Sequence, residues 1–176
     1  DVAMFGKALG NGYAVTAVLG KREVMQAAEK SFISSTFWTE RIGSSAALAT
    51  LKAMDKEKSW KKITSTGESV NQEWLKLSQE FELPITISGL AALTTFTFKS
   101  DNALAYKTLI TQEMLKKGYL AATAVYVCTA HTPDIIKTYL ENLKPIFKTI
   151  KECEEGRDVM KLLEGPIAHN GFKRLN

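Results

Sequence analysis

The apolar positions after Trp60 recur with a helical period. From there to Phe81 they are spaced alternately three and four apart, so they share one face of a long helix. Pro84 marks its end, because proline cannot continue a helix. Two short runs of strand-like composition follow at residues 85–87 and 93–98, and the glycine and small residues between them predict a hairpin.

A second helix is indicated beyond the hairpin. It runs to Lys117, with Asn102 or Asp101 as its N-terminal cap. Strand-forming residues come next, and they predict short strands at 119–120 and 125–128.

The triplet Thr132-Pro133-Asp134 predicts the start of a third helix. The threonine can cap the free amides, the proline needs no partner at the first position, and the aspartate suits the positive end of the helix dipole. With the hairpin, these helices indicate an α+β arrangement.

A different pattern fills the first third of the chain. Residues 1–5 read as the end of a strand, and the β-branched run at 14–19 predicts a buried strand. A short helix over residues 21–30, a short strand at 32–34 and a helix over 41–55 complete the alternation. Strand and helix in turn indicate an α/β layer.

The change of pattern near residues 56–60 predicts two domains. We assign residues 1–57 to the tail of a larger α/β domain and residues 58–176 to a smaller α+β domain. Because the chain opens with Asp1 inside a strand-like run, we expect it to be a piece of a longer protein.

Composition gives no indication of nucleic-acid, membrane or metal binding. The net charge of +4 comes from 23 basic and 19 acidic residues spread along the chain, so no basic patch for nucleic acid is indicated. No apolar stretch reaches the ~18 residues of a membrane helix, and we expect a cytoplasmic protein without membrane contact. Cys128 and Cys153 lie far apart without ligands at metal-binding spacing, so no metal site is predicted.

Lys7 is the first candidate for chemistry. It follows the strand-like run and precedes Gly10, Asn11 and Gly12, so its side chain would project from a strand end into a cleft that the glycines leave accessible. A lysine held on rigid backbone can act as a nucleophile that forms a Schiff base. Spacing alone leaves open that Lys7 is an ordinary solvated lysine.

Three segments of the sequence together resemble a known family. Residues 1–13 around Lys7, continuing through residues 18–20, are similar to the lysine segment of class-III pyridoxal-phosphate aminotransferases. The run Ser35-Thr36-Phe37, with the helix that follows, resembles a second motif of that family, and residues 126–132 resemble a strand and helix start of its small domain. The family includes glutamate-1-semialdehyde aminomutase and the ornithine and ω-amino acid aminotransferases.

The resemblance implies a fold, a cofactor and two site residues. It implies the C-terminal part of a fold type I transferase that uses pyridoxal 5′-phosphate to move an amino group between a small-molecule donor and an acceptor. Lys7 would be the catalytic residue that binds the cofactor as a Schiff base and carries a proton during the reaction. Thr36 would contact the cofactor phosphate of the other subunit in a homodimer, unless its hydroxyl serves only in a turn or cap.

Departures from the family pattern limit this reading. Residues 38–43 replace the glycine-rich run of many members, so contacts to substrate should differ there, and Arg41 could bind a substrate anion or pair with Glu40 or with a dimer partner. The acid, stacking ring and phosphate loop of the family all precede its lysine, so we expect the 176-residue chain alone to be inactive. The alternative is a non-catalytic folding or dimerisation module that retains inherited motifs.

Overall fold

The computed structural model describes residues 1–169 and Gly171. The chain divides between Ser59 and Trp60 into two compact units. Across the described residues, none of the helices combines the length and apolar character that a membrane span requires.

The first unit contains a two-stranded antiparallel sheet and two helices. Its elements are β1 (Val2–Phe5), β2 (Ala17–Gly20), α1 (Arg22–Met25), which continues as a 3-10 helix over Gln26–Lys30, and α2 (Ile42–Glu57). The predicted helix at 41–55 is therefore confirmed as α2, with Arg41 at its N-cap position.

Two strand predictions for this unit need correction. The strand expected over 14–19 begins only at Ala17, because its partner β1 ends at Phe5, which pairs with that residue. It is not buried either, since Leu19 is exposed. Residues 32–34 form no strand; among the described residues no strand pairs with them, and Phe32 is 95% exposed.

The second unit is an α+β structure built on a three-stranded antiparallel sheet. Its elements are α3 (Ser59–Glu80, which begins at the boundary), β3 (Ile85–Leu90), β4 (Leu93–Phe98), α4 (Ala103–Lys116), β5 (Ala124–Tyr126) and α5 (Pro133–Glu154). The strand order is β3-β4-β5, and β3 and β4 form the predicted hairpin. The strand predicted at 125–128 is confirmed in part as β5.

The core of this unit is formed by α3, α4, α5 and the sheet. The buried residues of α3 are Gly67, Val70, Trp74 and Leu77, which confirms the predicted amphipathic helix. The indole of Trp74 packs 4.7 Å from the ring of Phe96 in β4, centroid to centroid. Burying each such aromatic side chain stabilises the fold by roughly 1.5–3 kcal/mol.

Helix α5 begins as predicted, and the N-cap and C-cap positions of α4 are Asn102 and Lys117, as the prediction allowed, but the capping bond expected at its start is missing. The Thr132 hydroxyl accepts a hydrogen bond from the amide of Ile135. Asn102 occupies the N-cap position of α4, but its side chain makes no capping bond. Its backbone amide donates a hydrogen bond to the hydroxyl of Ser100.

Residues 119–120 form no strand. The amide of Tyr119 donates to the carbonyl of Met114 at 3.0 Å and so closes the C-terminus of α4, with Gly118 in a left-handed conformation. An amide used in this way cannot join a sheet, and Leu120 is left exposed.

Candidate active site around Lys7

Lys7 stands at the start of a tight turn that follows β1. It opens a 3-10 helix over Lys7–Leu9 and has a positive φ of 48°. Its carbonyl accepts hydrogen bonds from the amides of Gly10 and Asn11, both at 3.2 Å. A non-glycine residue in the left-handed region is uncommon and is held there by its surroundings.

Two buried glycines fix the segment that faces this turn. A Cβ added at Gly10 would overlap the carbonyl oxygen of Tyr13, and one added at Gly43 would lie 2.6 Å from the carbonyl oxygen of Ala14. The first close approach lies within the turn itself, between Gly10 and Tyr13. Gly43, in the first turn of α2, was not predicted, because only the tertiary fold brings it against this segment.

Lys7 lines a cavity of about 580 Å³ within the first unit. The lining residues are Lys7, Tyr13, Ala14, Val15, Thr16, Ser35, Phe37, Trp38, Glu40, Gly43 and Ser44. The lysine segment and the Ser35-Thr36-Phe37 motif therefore meet at one cavity although about thirty residues separate them.

The second motif forms a hydrogen-bonded turn that leads into α2. The Ser35 hydroxyl accepts from the amide of Phe37 at 3.1 Å, and the carbonyl of Phe37 accepts from the amide of Glu40 at 2.7 Å. Thr36 is exposed and is not among the lining residues of the cavity. Its role toward a cofactor in another subunit stays a prediction.

The partner of the Glu40 carboxylate is not Arg41, the residue considered from the sequence. Its Oε1 accepts a hydrogen bond from the amide of Ile42 at 2.9 Å, so the carboxylate serves the N-terminus of α2. Within the described part of the chain Arg41 makes no ion pair, with Glu40 or with any other acid.

The chemistry of the lining suits pyridoxal phosphate. The amine of Lys7 is the type of group that forms a Schiff base with an aldehyde, and the hydroxyl groups of Thr16, Ser35 and Ser44 are small donors of the kind that bind phosphate oxygens. No cluster that could hold a metal ion occurs among the described residues.

A larger groove of about 650 Å³ lies in the second unit, between α3 and α5. Neither Lys7 nor any residue of the Ser35-Thr36-Phe37 motif lines it. His131, at one end, uses its Nδ1 atom to accept from the amide of Cys128 at 3.3 Å, which is a local structural contact.

Comparisons with known proteins place the fold. The internal aldimine form of the FumI protein of Sphingopyxis sp. MTA144, which carries pyridoxal phosphate, superposes with a TM-score of 0.79 at 22% identity, over 93% of this chain and 40% of that chain. A transaminase with bound pyridoxal phosphate gives a TM-score of 0.76 at 20% identity, over 90% of this chain and 40% of that chain. The fold is thus that of part of a fold type I pyridoxal-phosphate-dependent transferase.

The sequence comparison identifies the family. The model described as "Aminotransferase class-III" matches residues 1–152, and the chain belongs to the class-III aminotransferase family. The 3-aminobutyryl-CoA aminotransferase of Cloacimonas acidaminovorans is 30% identical over 158 residues, which cover 86% of this chain and 38% of that protein. The glutamate-1-semialdehyde 2,1-aminomutase of Hyperthermus butylicus is 23% identical over 170 residues, and the matched region covers 86% of this chain and 39% of that protein.

These findings confirm the family resemblance and the cofactor that it implied. Pyridoxal 5′-phosphate is the cofactor indicated by the family and by the fold. The chain spans less than two fifths of the length of the curated relatives described above.

Proposed function

We propose that the whole protein to which this chain belongs uses pyridoxal phosphate to transfer or migrate an amino group, with Lys7 as the lysine that holds the cofactor. One observation carries the proposal: Lys7 lines the same cavity as Ser35 and Phe37, which flank Thr36 in the second segment that resembles a motif of the family.

The contribution of this chain centres on the Lys7 amine. When bound, pyridoxal phosphate supplies a carbonyl carbon that combines with amines and a ring that withdraws electrons from the neighbouring carbon. Lys7 Nζ holds the group in place and, as a free amine, takes a proton from the substrate carbon that bears the amino group and returns it later. Lys7 lines the cavity from the turn that Gly10 closes.

Thr36 would act in a second subunit. We assign the protein as a homodimer in which the Thr36 hydroxyl and amide of one subunit contact the cofactor phosphate bound by the other. The exposure of Thr36 and its position outside the Lys7 cavity of its own chain support this assignment.

In the whole protein, residues 1–57 would be the tail of the large cofactor-binding domain and residues 58–176 the small domain. The relatives are aminotransferases and aminomutases, which favours the enzyme over a non-catalytic module. Because the chain spans only 38% of the first of these relatives, we expect the isolated 176-residue chain neither to retain the cofactor nor to turn over.

An amine-transfer assay on the whole protein tests the proposal. Lys7→Ala should lower the rate by at least ~10²-fold on every amino donor, because it removes the group that moves the proton. Lys30→Ala, which removes an exposed lysine of the same unit outside the cavity, should leave the rate unchanged. Equal activities of the two variants would contradict the proposal, and turnover by the isolated chain would contradict its expected inactivity.

A further inference from the structure

Three polar side chains of α4 contact one segment that follows α5 in the chain. Thr108, Gln112 and Lys116 are spaced four residues apart, so they lie along one face of the helix. The segment is residues 162–168, which we call the strap. Within the described part of the chain, residues 163–168 make no hydrogen bond to another backbone group. The backbone of the strap is therefore held by side chains and not by a helix or a sheet.

Gln112 binds the strap backbone at two points. Its Nε2 atom donates to the carbonyl oxygen of Leu162 at 2.9 Å, and its Oε1 atom accepts from the amide of Glu164 at 2.8 Å. The intervening Leu163 is extended, with a φ of -84° and a ψ of 132°. One side-chain amide thus uses both its donor and its acceptor on the same extended stretch of backbone.

The neighbouring turns of α4 continue this contact in both directions. One turn before Gln112, the Thr108 hydroxyl accepts from the amide of Ala168 at 3.0 Å. One turn after it, Lys116 Nζ forms an ion pair with the Glu164 carboxylate at 2.7 Å. An ion pair at the surface contributes little, so the hydrogen bonds of Gln112 and Thr108 are the stronger polar contacts to the strap.

Apolar side chains of the strap cover part of the second unit. Leu162, Leu163 and Ile167 are partly buried and pack against its core. Leu162 also lines a cavity of about 240 Å³, together with Leu109 of α4 and Ile146 of α5. Release of the strap would remove one wall of this cavity and expose the apolar side chains.

The strap is bound at both ends but by few groups. Among the described residues, α4 holds it through three hydrogen bonds and one ion pair. Segments with few contacts open at a lower free energy than the core on which they lie. Because Gln112 holds one end and Thr108 the other, loss of either contact should weaken the whole segment.

We propose that the strap is a releasable cover of the second unit that opens as one cooperative segment, with Gln112 as the residue that keeps it closed. Opening uncovers the cavity between α4 and α5. Val159, which is buried just before the strap, keeps the segment attached. This inference goes beyond the proposed function and does not depend on whether Lys7 holds a cofactor.

Amide hydrogen exchange in the whole protein, resolved to single residues by mass spectrometry, tests the proposal. In wild type the amides of Glu164 and Ala168 should open with the same free energy. Both should open more readily than the amide of Phe96, which donates to the carbonyl of Thr123. Gln112→Leu should speed exchange of the two strap amides at least about tenfold, because it removes two hydrogen bonds.

The response of Ala168 separates cooperative opening from a local effect. Its acceptor, the Thr108 hydroxyl, is unchanged in Gln112→Leu, so a purely local loss would speed only the Glu164 amide. Thr108→Val is the reciprocal test. It removes the acceptor of Ala168 and should also speed exchange at Glu164, whose own acceptor is intact.

Thr111→Val is the matched control. The hydroxyls of Thr108 and Thr111 each donate to the carbonyl four residues earlier, at 2.8 and 3.0 Å, but among the described residues only that of Thr108 also bonds the strap. The control variant makes the same chemical change on the same helix. It should leave the exchange of both strap amides unchanged.

Two results of the exchange experiment would overturn the proposal. In wild type, equal opening free energies for Glu164, Ala168 and Phe96 would mean that the strap opens only when the unit unfolds. In Gln112→Leu, faster exchange at Glu164 alone would mean that the strap does not open as one segment. The variant should also bind more of the apolar dye ANS than Thr111→Val does, and equal binding would contradict the exposure of the cavity.

Discussion

Gly43 lies directly against Ala14: a Cβ atom added at position 43 would stand 2.6 Å from the carbonyl oxygen of Ala14 and 3.1 Å from the Cβ of Val15. Backbone atoms cannot move aside as the end of a flexible side chain can. The start of α2 and the segment that faces Lys7 can therefore approach this closely only because residue 43 lacks a side chain.

Gly43→Ala should displace that segment at a cost of about 1–3 kcal/mol, which is typical of overpacking. We expect faster amide hydrogen exchange in residues 9–15, measured by mass spectrometry, together with weaker cofactor retention by the whole protein. Ser45→Ala, an exposed change in the same helical turn, serves as the control. Unchanged exchange in Gly43→Ala would show that the close contact does not organise the Lys7 turn.

The buried hydrogen bond from Trp74 Nε1 to the Tyr139 hydroxyl, 3.1 Å long, links α3 to α5. Burial raises the pKa of Tyr139 well above its ordinary value, so the hydroxyl stays neutral. Tyr139→Phe would leave the indole N–H buried without an acceptor, and we expect a loss of about 1–3 kcal/mol in the free energy of urea unfolding.

Tyr126→Phe makes the same chemical change on a side chain that is 74% exposed, and it should cost less than about 0.5 kcal/mol. Similar losses in the two variants would mean that the buried bond contributes little.

The two units should differ in their ability to fold alone. Among the described residues, every buried apolar side chain of the core lies at Val70 or later, whereas the buried residues of the first unit are Gly10 and Gly43. A polypeptide of residues 60–169 should therefore unfold cooperatively with heat, as followed by circular dichroism, and one of residues 1–59 should not. A cooperative transition in the shorter piece would contradict this prediction.

The Glu154 carboxylate should make the stability of the second unit sensitive to acid. Hydrogen bonds from the hydroxyls of Ser100 and Tyr106, both 2.6 Å long, lower its pKa below the ordinary value of 4.5. A lowered pKa in the folded state contributes stability that is fully present above about pH 4.5 and is lost as the pH falls toward the folded value.

Glu154→Gln should therefore flatten the loss of unfolding free energy between about pH 5 and pH 3. Glu68→Gln, an exposed change on α3, should keep the wild-type slope. Parallel curves for wild type and Glu154→Gln would exclude this carboxylate as a source of the acid sensitivity.

Much of the second unit could be predicted because its elements follow local rules. The spacing that leads to the buried Trp74 defines α3, and the hydroxyl of Thr132 defines the start of α5. The strand predictions that were wrong depend on contacts between residues far apart in the sequence or on how a neighbouring helix ends. Residues 32–34 have strand-like composition, but among the described residues no strand pairs with them. Tyr119 has strand propensity, but its backbone amide donates to the carbonyl of Met114 at the end of α4.

The candidate site shows the same division. Resemblance to a family pointed to Lys7 and to the motif at residues 35–37, but spacing alone would not have distinguished Lys7 from a solvated lysine. Gly43 and the Glu40 carboxylate could not be assigned from the sequence, because their importance depends on which backbone atoms the fold brings beside them.

Borohydride reduction of the whole protein in the presence of the cofactor tests directly whether Lys7 is the attachment point of pyridoxal phosphate. Reduction converts a cofactor held by a lysine into a stable pyridoxyl adduct, which peptide mass spectrometry can locate. We predict one adduct on the peptide that contains Lys7, and its loss in Lys7→Arg. An adduct on a different lysine, or amine transfer by protein that yields no adduct at Lys7, would contradict the account.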